Sequence, residues 1–138
     1  MMGNYEYLPH TADVRIRAVS TDLNDLIDSA LKGLCGVLYK EPLKMEIPSV
    51  NCKINITSID SSALIIDFLS ESLLLMYKNK AVLHQLNISK LENNLIIAEL
   101  SGFHVDGFSE DIKAVTYHGA EIIHNSNGEL EVTITLDI

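Results

Sequence analysis

From Ala12 to Val19 the chain alternates, with Val14, Ile16 and Ala18 on one side and Asp13, Arg15 and Arg17 on the other. Period two over this length predicts a half-buried strand, and it turns Asp13 away from the core. Thr21 or Asp22 can then cap a helix, because Leu23, Leu26, Ile27, Ala30, Leu31, Leu34, Cys35 and Leu38 recur at the three-four spacing of one apolar stripe. Pro42 and Pro48 frame a connection to a strand around Val50 to Ile59. Asp60 or Ser61 caps a second helix reaching about Lys78, whose Leu64, Ile65, Phe68, Leu69, Leu73 and Met76 leave a narrow polar face of Asp67, Ser70, Glu71 and Lys78. That helix is expected to be mostly buried.

Val82 to Ser89 reads as a strand, Glu92-Asn93-Asn94 as a turn, and Leu95 to Leu100 as the returning arm of a hairpin. Gly102 to Asp111 is expected to be a polar loop, and Ile112 to Ile123 one long strand. The cluster Asn125-Ser126-Asn127-Gly128 turns the chain into a last strand, where Val132, Ile134, Leu136 and Ile138 alternate with Thr133, Thr135 and Asp137. Strands in adjacent hairpins with two amphipathic helices predict an α+β protein: a largely antiparallel mixed sheet with both helices packed on one face. The 138 residues, 47% of them hydrophobic, suffice for a single domain without disulfides or a structural metal.

Composition narrows the chemistry. Eight Lys and two Arg face nineteen acidic residues, a formal charge of −9, and no basic run could displace counterions from a phosphate backbone. Direct nucleic-acid binding is disfavoured, so any action on RNA is expected to pass through a partner protein. No charged-then-apolar leader opens the chain and no apolar run reaches about 18 residues, so a cytoplasmic protein without membrane contact is expected. Cys35 and Cys52 lack the spacing of a zinc site and read as reduced core residues. No GxSxG, P-loop or dinucleotide fingerprint occurs, so hydrolysis by a nucleophile and nucleotide binding have no motif behind them.

Three places carry candidate chemistry. His10 and Asp13 stand three residues apart where a loop feeds the first strand; a turn histidine with a surface Asp paired to Arg15 and Arg17 is the plainer reading. At the other end, Asp137 lies one residue from the terminal carboxylate of Ile138, and two tied anions are relieved by a cation or by donors. If the last strand lies beside the first, Asp13 and Asp137 share one sheet face, an oxygen-rich set that suits calcium or magnesium rather than zinc. An ordinary frayed acidic terminus is the alternative. The third place is Asp111 to Glu121, where Lys113, Tyr117 and Glu121 would share one face and Thr116 with His118 the other. There Lys113 either neutralises carboxylates or contacts a phosphate, or simply lies on a solvated face. Of the remaining histidines, His104 with Asp106 is the best extra polar contributor.

Four blocks in order, Tyr7-Leu8-Pro9-His10-Thr11-Ala12-Asp13-Val14, Ile66 to Leu75, Ile112-Lys113-Ala114-Val115-Thr116-Tyr117-His118 and Leu136-Asp137-Ile138, resemble the archease family over almost the whole chain. The resemblance implies an accessory factor, not an enzyme, for the RNA-splicing (tRNA) ligase that joins 3′-phosphate or 2′,3′-cyclic phosphate ends to 5′-hydroxyl ends. It implies that the protein promotes guanylylation of that ligase and its multiple turnover, touching RNA only indirectly. It also implies a divalent metal, calcium first and magnesium or manganese next, held by Asp13 and Asp137 with Ile138 adding an oxygen. His10, Lys113 and His118 would contact the partner or a phosphate. The sequence departs from the family pattern after Gly102, where Phe103-His104-Val105-Asp106 stands without the usual Glu, so that loop receives no role. A metal-dependent phosphohydrolase using Asp13, Asp137, His10 and His118, and a chaperone-like interaction module, are the other two classes of function.

Overall fold

The computed structural model describes residues 3–8, 13–44 and 46–138. In chain order the elements are β1 (Asn4–Leu8), β2 (Asp13–Ser20), α1 (Leu23–Leu38), β3 (Val50–Thr57), α2 (Ser61–Asn79), β4 (Ala81–Glu92), β5 (Leu95–His104), β6 (Ala114–Thr116), β7 (Ile123–His124) and β8 (Leu130–Asp137). All strand pairings are antiparallel. The strands divide between a five-stranded sheet, ordered β1-β2-β8-β6 with β7 also on β8, and a three-stranded sheet ordered β3-β5-β4. The α+β class holds.

Both helices start where a side chain replaces missing helical acceptors. Asp22 accepts from the Asp25 amide at 2.8 Å and Asp60 from the Ala63 amide at 2.8 Å, each satisfying one orphan N–H of the first turn. The stripe of α1 buries Leu26, Ile27, Ala30, Leu31 and Leu34 completely. In α2 the apolar positions wrap further round, and Ser72 is buried too, its hydroxyl donating to the Phe68 carbonyl at 2.7 Å. Helix α1 packs on β1, β2 and β8 and reaches β4, while α2 packs on β3, β4 and β5 and reaches β6. One continuous core therefore joins the two sheets. Among the described residues no helix is long and apolar enough to cross a membrane.

Three local expectations change. Strand β5 runs on through Gly102, Phe103 and His104, so the loop begins only after His104. Gly102 keeps the inward phase of Ile96, Ala98 and Leu100, while Phe103, on the phase of Ser101, is nonetheless only 3% exposed, and pairing of Phe103 with Val82 and of His104 with Ala81 carries the ladder on. The long strand expected over 112–123 is instead two short strands, β6 and β7, separated by a turn. In that turn the Ala120 amide bonds the Tyr117 carbonyl at 3.1 Å, and Gly119 takes φ +68°, a left-handed conformation that no strand residue adopts. Strand β1 is absent from the sequence-based expectation: its five residues are mostly exposed, and Tyr7, whose hydroxyl donates to the Gly33 carbonyl at 3.0 Å, ties it to α1. Cys35 and Cys52 are both free thiols, and burial pushes Cys35 up to about 12.

A polar turn closes the β7-β8 hairpin. The Asn125 side chain accepts from the amides of Asn127 at 2.9 Å and Glu129 at 3.0 Å, the local bonding that makes Asn a turn former.

Candidate functional site: a carboxylate corner and its cleft

Strand β8 sits in the middle of the larger sheet with β2 on one side and β6 on the other. Its inward residues Val132, Ile134 and Leu136 are at most 1% exposed, so the outward set is Glu131, Thr133, Thr135 and Asp137. Across the ladder Asp13 is directly opposite Asp137, Arg15 opposite Thr135, and Arg17 opposite Thr133. On the far side Ala114 faces Asp137 and Thr116 faces Thr135. Directly opposed residues on one face hold their Cβ atoms roughly 5 Å apart, so the two carboxylates are near neighbours at the end of the ladder. Asp137 is exposed and Asp13 half-buried.

The flank beside Asp137 is held by α2. The Tyr77 hydroxyl donates to the Ile112 carbonyl at 2.8 Å and accepts from the Ile112 amide at 2.7 Å, satisfying both main-chain groups of a residue that is 1% exposed. The next amide, of Lys113, bonds the Asp137 carbonyl at 2.7 Å, leaving the Lys113 side chain exposed. Further along, Tyr117 donates to Asp67, which also accepts from Ser58 at 2.6 Å, and the Ser62 hydroxyl accepts from the Ile122 amide at 2.9 Å. Tyr77, Asp67 and Ser62 of α2 thus anchor residues 112–122.

That anchoring brings His118 and Gly119 over the sheet, where they line a cleft of about 320 Å³ with Asp13, Arg15, Thr133 and Thr135. The two arginines of this face differ. Arg17 is clamped, Nη2 to Glu131 at 2.6 Å and Nη1 to Glu6 at 3.1 Å. Arg15 enters none of the ion pairs formed among the described residues, and its Nε is buried without a hydrogen-bond partner. The hydrogen bond from Arg17 holds the Glu131 carboxyl below its usual range. A depressed folded value means that this contribution is present above the unfolded glutamate value of about 4.3 and disappears as pH falls through the folded one. Glu131→Gln is accordingly expected to cost about 0.5–1 kcal/mol at pH 7, in the range of a partly exposed ion pair, with the deficit shrinking below about pH 4. Urea melts across that range check it; a deficit independent of pH would show that the pair contributes nothing electrostatic.

Of the residues singled out from sequence, the structure brings together Asp13, Asp137 and, next in the chain, Ile138. It ties Lys113 to Asp137 through the main chain and places His118 on the cleft with Asp13. His10 lies outside the described residues. His104 is not at this corner: it sits at the end of β5, its Nδ1 3.1 Å from the Asn79 carbonyl oxygen. Sequence reading missed Arg15, Thr133 and Thr135 as cleft walls and Asp67, Ser62 and Tyr77 as supports. For Arg15 the signal was present, since alternation already put it on the Asp13 face.

A divalent cation is a test of these donors. They are oxygens only, from Asp13, Asp137 and the main chain of Ile138, which fits a hard cation that keeps part of its water. Among the described residues no group of three or more His, Cys, Asp or Glu side chains is arranged to hold a metal ion.

A small α+β domain whose first long strand and last strand meet at a paired-carboxylate corner is thus the class defined by fold and site. Residues 5–138 match the model of the archease protein family (MTH1598/TM1083), and the chain belongs to that family. The chain is 30% identical over 132 residues to the protein archease of Methanosarcina barkeri, covering 90% of this chain and 89% of that one. It is 27% identical over 128 residues to the archease of Thermococcus gammatolerans, covering 88% and 89%. Among solved structures, protein 1598 of Methanobacterium thermoautotrophicum superposes with a TM-score of 0.77 at 22% identity, covering 98% of this chain and 99% of that one. A Thermotoga maritima protein described as an archease and possible chaperone gives 0.65 at 16% identity, covering 96% of each. These two likenesses speak to the fold.

Proposed function

We propose that this protein is an accessory factor of an RNA-splicing ligase, promoting its guanylylation and multiple turnover, with the Asp13–Asp137 corner presented to the ligase. The observation that carries this reading is the in-register opposition of Asp13 and Asp137 at one end of the ladder, in a chain of the archease family. Two like charges directly opposite one another repel, and a cation between them relieves that repulsion. Asp13, Asp137 and an oxygen of Ile138 would hold the cation, calcium or else magnesium or manganese. When bound it would supply concentrated positive charge beside a partner's phosphate chemistry.

The chain's own contribution is positional. The pairing of β2 with β8 fixes the spacing of the carboxylates, and Tyr77, through Ile112 and Lys113, fixes the strand beside Asp137. The exposed Lys113 ammonium balances the corner's charge or meets a phosphate. A net charge of −9 favours a basic cleft on the partner and speeds encounter with it.

The test is a guanylylation assay: purified ligase, labelled GTP and a divalent cation, with and without this protein. The expected result is faster formation of ligase-bound GMP and many ligation cycles per ligase with the protein present. An unchanged rate and a single cycle would dispose of the reading.

A further inference from the structure

We propose that the cleft walled by Arg15, Thr133, Thr135 and His118 is a binding site for a small phosphate monoester. Two arginines on one sheet face differ in what they meet. Arg17 has two carboxylates to itself, whereas Arg15, two residues earlier, takes part in no ion pair among the described residues and keeps a buried, unbonded Nε. A guanidinium N–H shut away from water without an acceptor weakens the fold, so its retention points to an acceptor that arrives from outside.

The walls say what kind. Thr135 stands directly across from Arg15 and Thr133 across from Arg17, so two hydroxyls flank the guanidinium on β8, and His118 closes the side toward residue 119. A planar fork grips two oxygens of an oxyanion, and the hydroxyls with an imidazole N–H are placed for a third. A carboxylate has only two oxygens to offer; a phosphate monoester has three. The volume, about 320 Å³, is at the small end of ligand pockets and holds one phosphoryl group with little else. With ten basic residues against nineteen acidic ones, the chain cannot follow a long phosphate backbone, so the group recognised is a single one. Asp13, at the other wall, sets the phosphate toward Arg15 and Thr135 and away from itself. The site needs no cation and is independent of the reading under Proposed function.

The experiment titrates the isotope-labelled full chain with inorganic phosphate, then methyl phosphate, by amide NMR in EDTA at fixed ionic strength. Acetate serves as the carboxylate control. Saturating shifts confined to Arg15, His118, Gly119, Thr133 and Thr135 are expected, weaker by roughly ten- to a hundredfold in Arg15→Gln and partly retained in Arg15→Lys. Thr135→Val provides a second variant should Arg15→Gln fail to fold, and it should also weaken phosphate. Asp137→Asn should bind phosphate at least as well as the parent, which separates this site from the cation corner. Shifts that do not saturate, an undiminished Arg15→Gln, or acetate binding as tightly as phosphate would each overturn the assignment, the last in favour of a partner's carboxylate side chain.

Discussion

Converting Asp137 to asparagine is expected to remove ligase stimulation while leaving the fold as stable as before, or slightly more so. Asp137 is exposed, and asparagine keeps its shape and its place in the ladder. The main-chain bond from the Lys113 amide to the Asp137 carbonyl does not depend on the side chain. What changes is the cross-strand repulsion with Asp13, a term worth a few tenths to about 1 kcal/mol, which now vanishes. A residue kept for stability would behave the opposite way. Calcium provides the second readout: at about a hundredfold above its dissociation constant, a ligand bound only to the native state adds about 2.7 kcal/mol, and the variant should lose that increment. Glu41→Gln makes the same charge change on an exposed loop and should keep both stimulation and the calcium effect. Full stimulation by Asp137→Asn, with the same calcium-induced shift in melting temperature, would leave the corner without a role.

How much of this was visible beforehand depends on whether the information is local. The apolar stripe and Asp22 cap of α1, and the Asp60 cap of α2, lie within a few residues of the structure they specify, and both helices appear where the spacing puts them. The alternation of β2 and β8 fixed which side chains face out, so the carboxylates' shared face followed once the two strands were neighbours. Their register did not: one residue of slip would send Asp137 inward, and only the pairing of distant strands decides it. The 112–123 segment was misread for a related reason. Alternation continues through Thr116, Tyr117 and His118, but Gly119 and the hold of Asp67 and Ser62 on the chain bend it away after Thr116. Those anchors come from a helix earlier in the sequence, where they look like an ordinary solvated face. Arg15 shows the limit most clearly, since its alternation is legible while its lack of an ion-pair partner among the described residues is a property of the assembled sheet alone.

Gly102→Ala is the substitution expected to damage the fold most. Gly102 lies in β5 opposite Val50 of β3, and on its other side β4 departs from regular pairing between Val82 and Gln85. There the Val82 main chain leans over the glycine: a Cβ at residue 102 would fall 1.7 Å from the Val82 carbonyl oxygen, 2.7 Å from its carbon and 3.0 Å from the Leu83 Cα. These are main-chain atoms, so no rotamer can step aside. The start of β4 would have to move, and Ala81, Val82 and Leu83 are all 0% exposed there, locked in the shared core. Overpacking a core usually costs about 1–3 kcal/mol, and a collision with main chain belongs at or beyond the top of that range. For a chain of this size that corresponds to a fall of roughly 10 °C or more in melting temperature. Gly107 is the control, because a Cβ there meets nothing within 4 Å; alanine should be neutral or add up to about 1 kcal/mol by restricting the unfolded chain. The damage should also travel. Helix α2 rests on β3, β4 and β5 while gripping residues 112–122, so loosening the smaller sheet should free His118 and Gly119 from the cleft and weaken phosphate binding at Arg15 without touching it. A Gly102→Ala protein that melts with the parent would mean that the two strands do not approach as closely as this, and the mechanical link from the smaller sheet to the cleft would go with it.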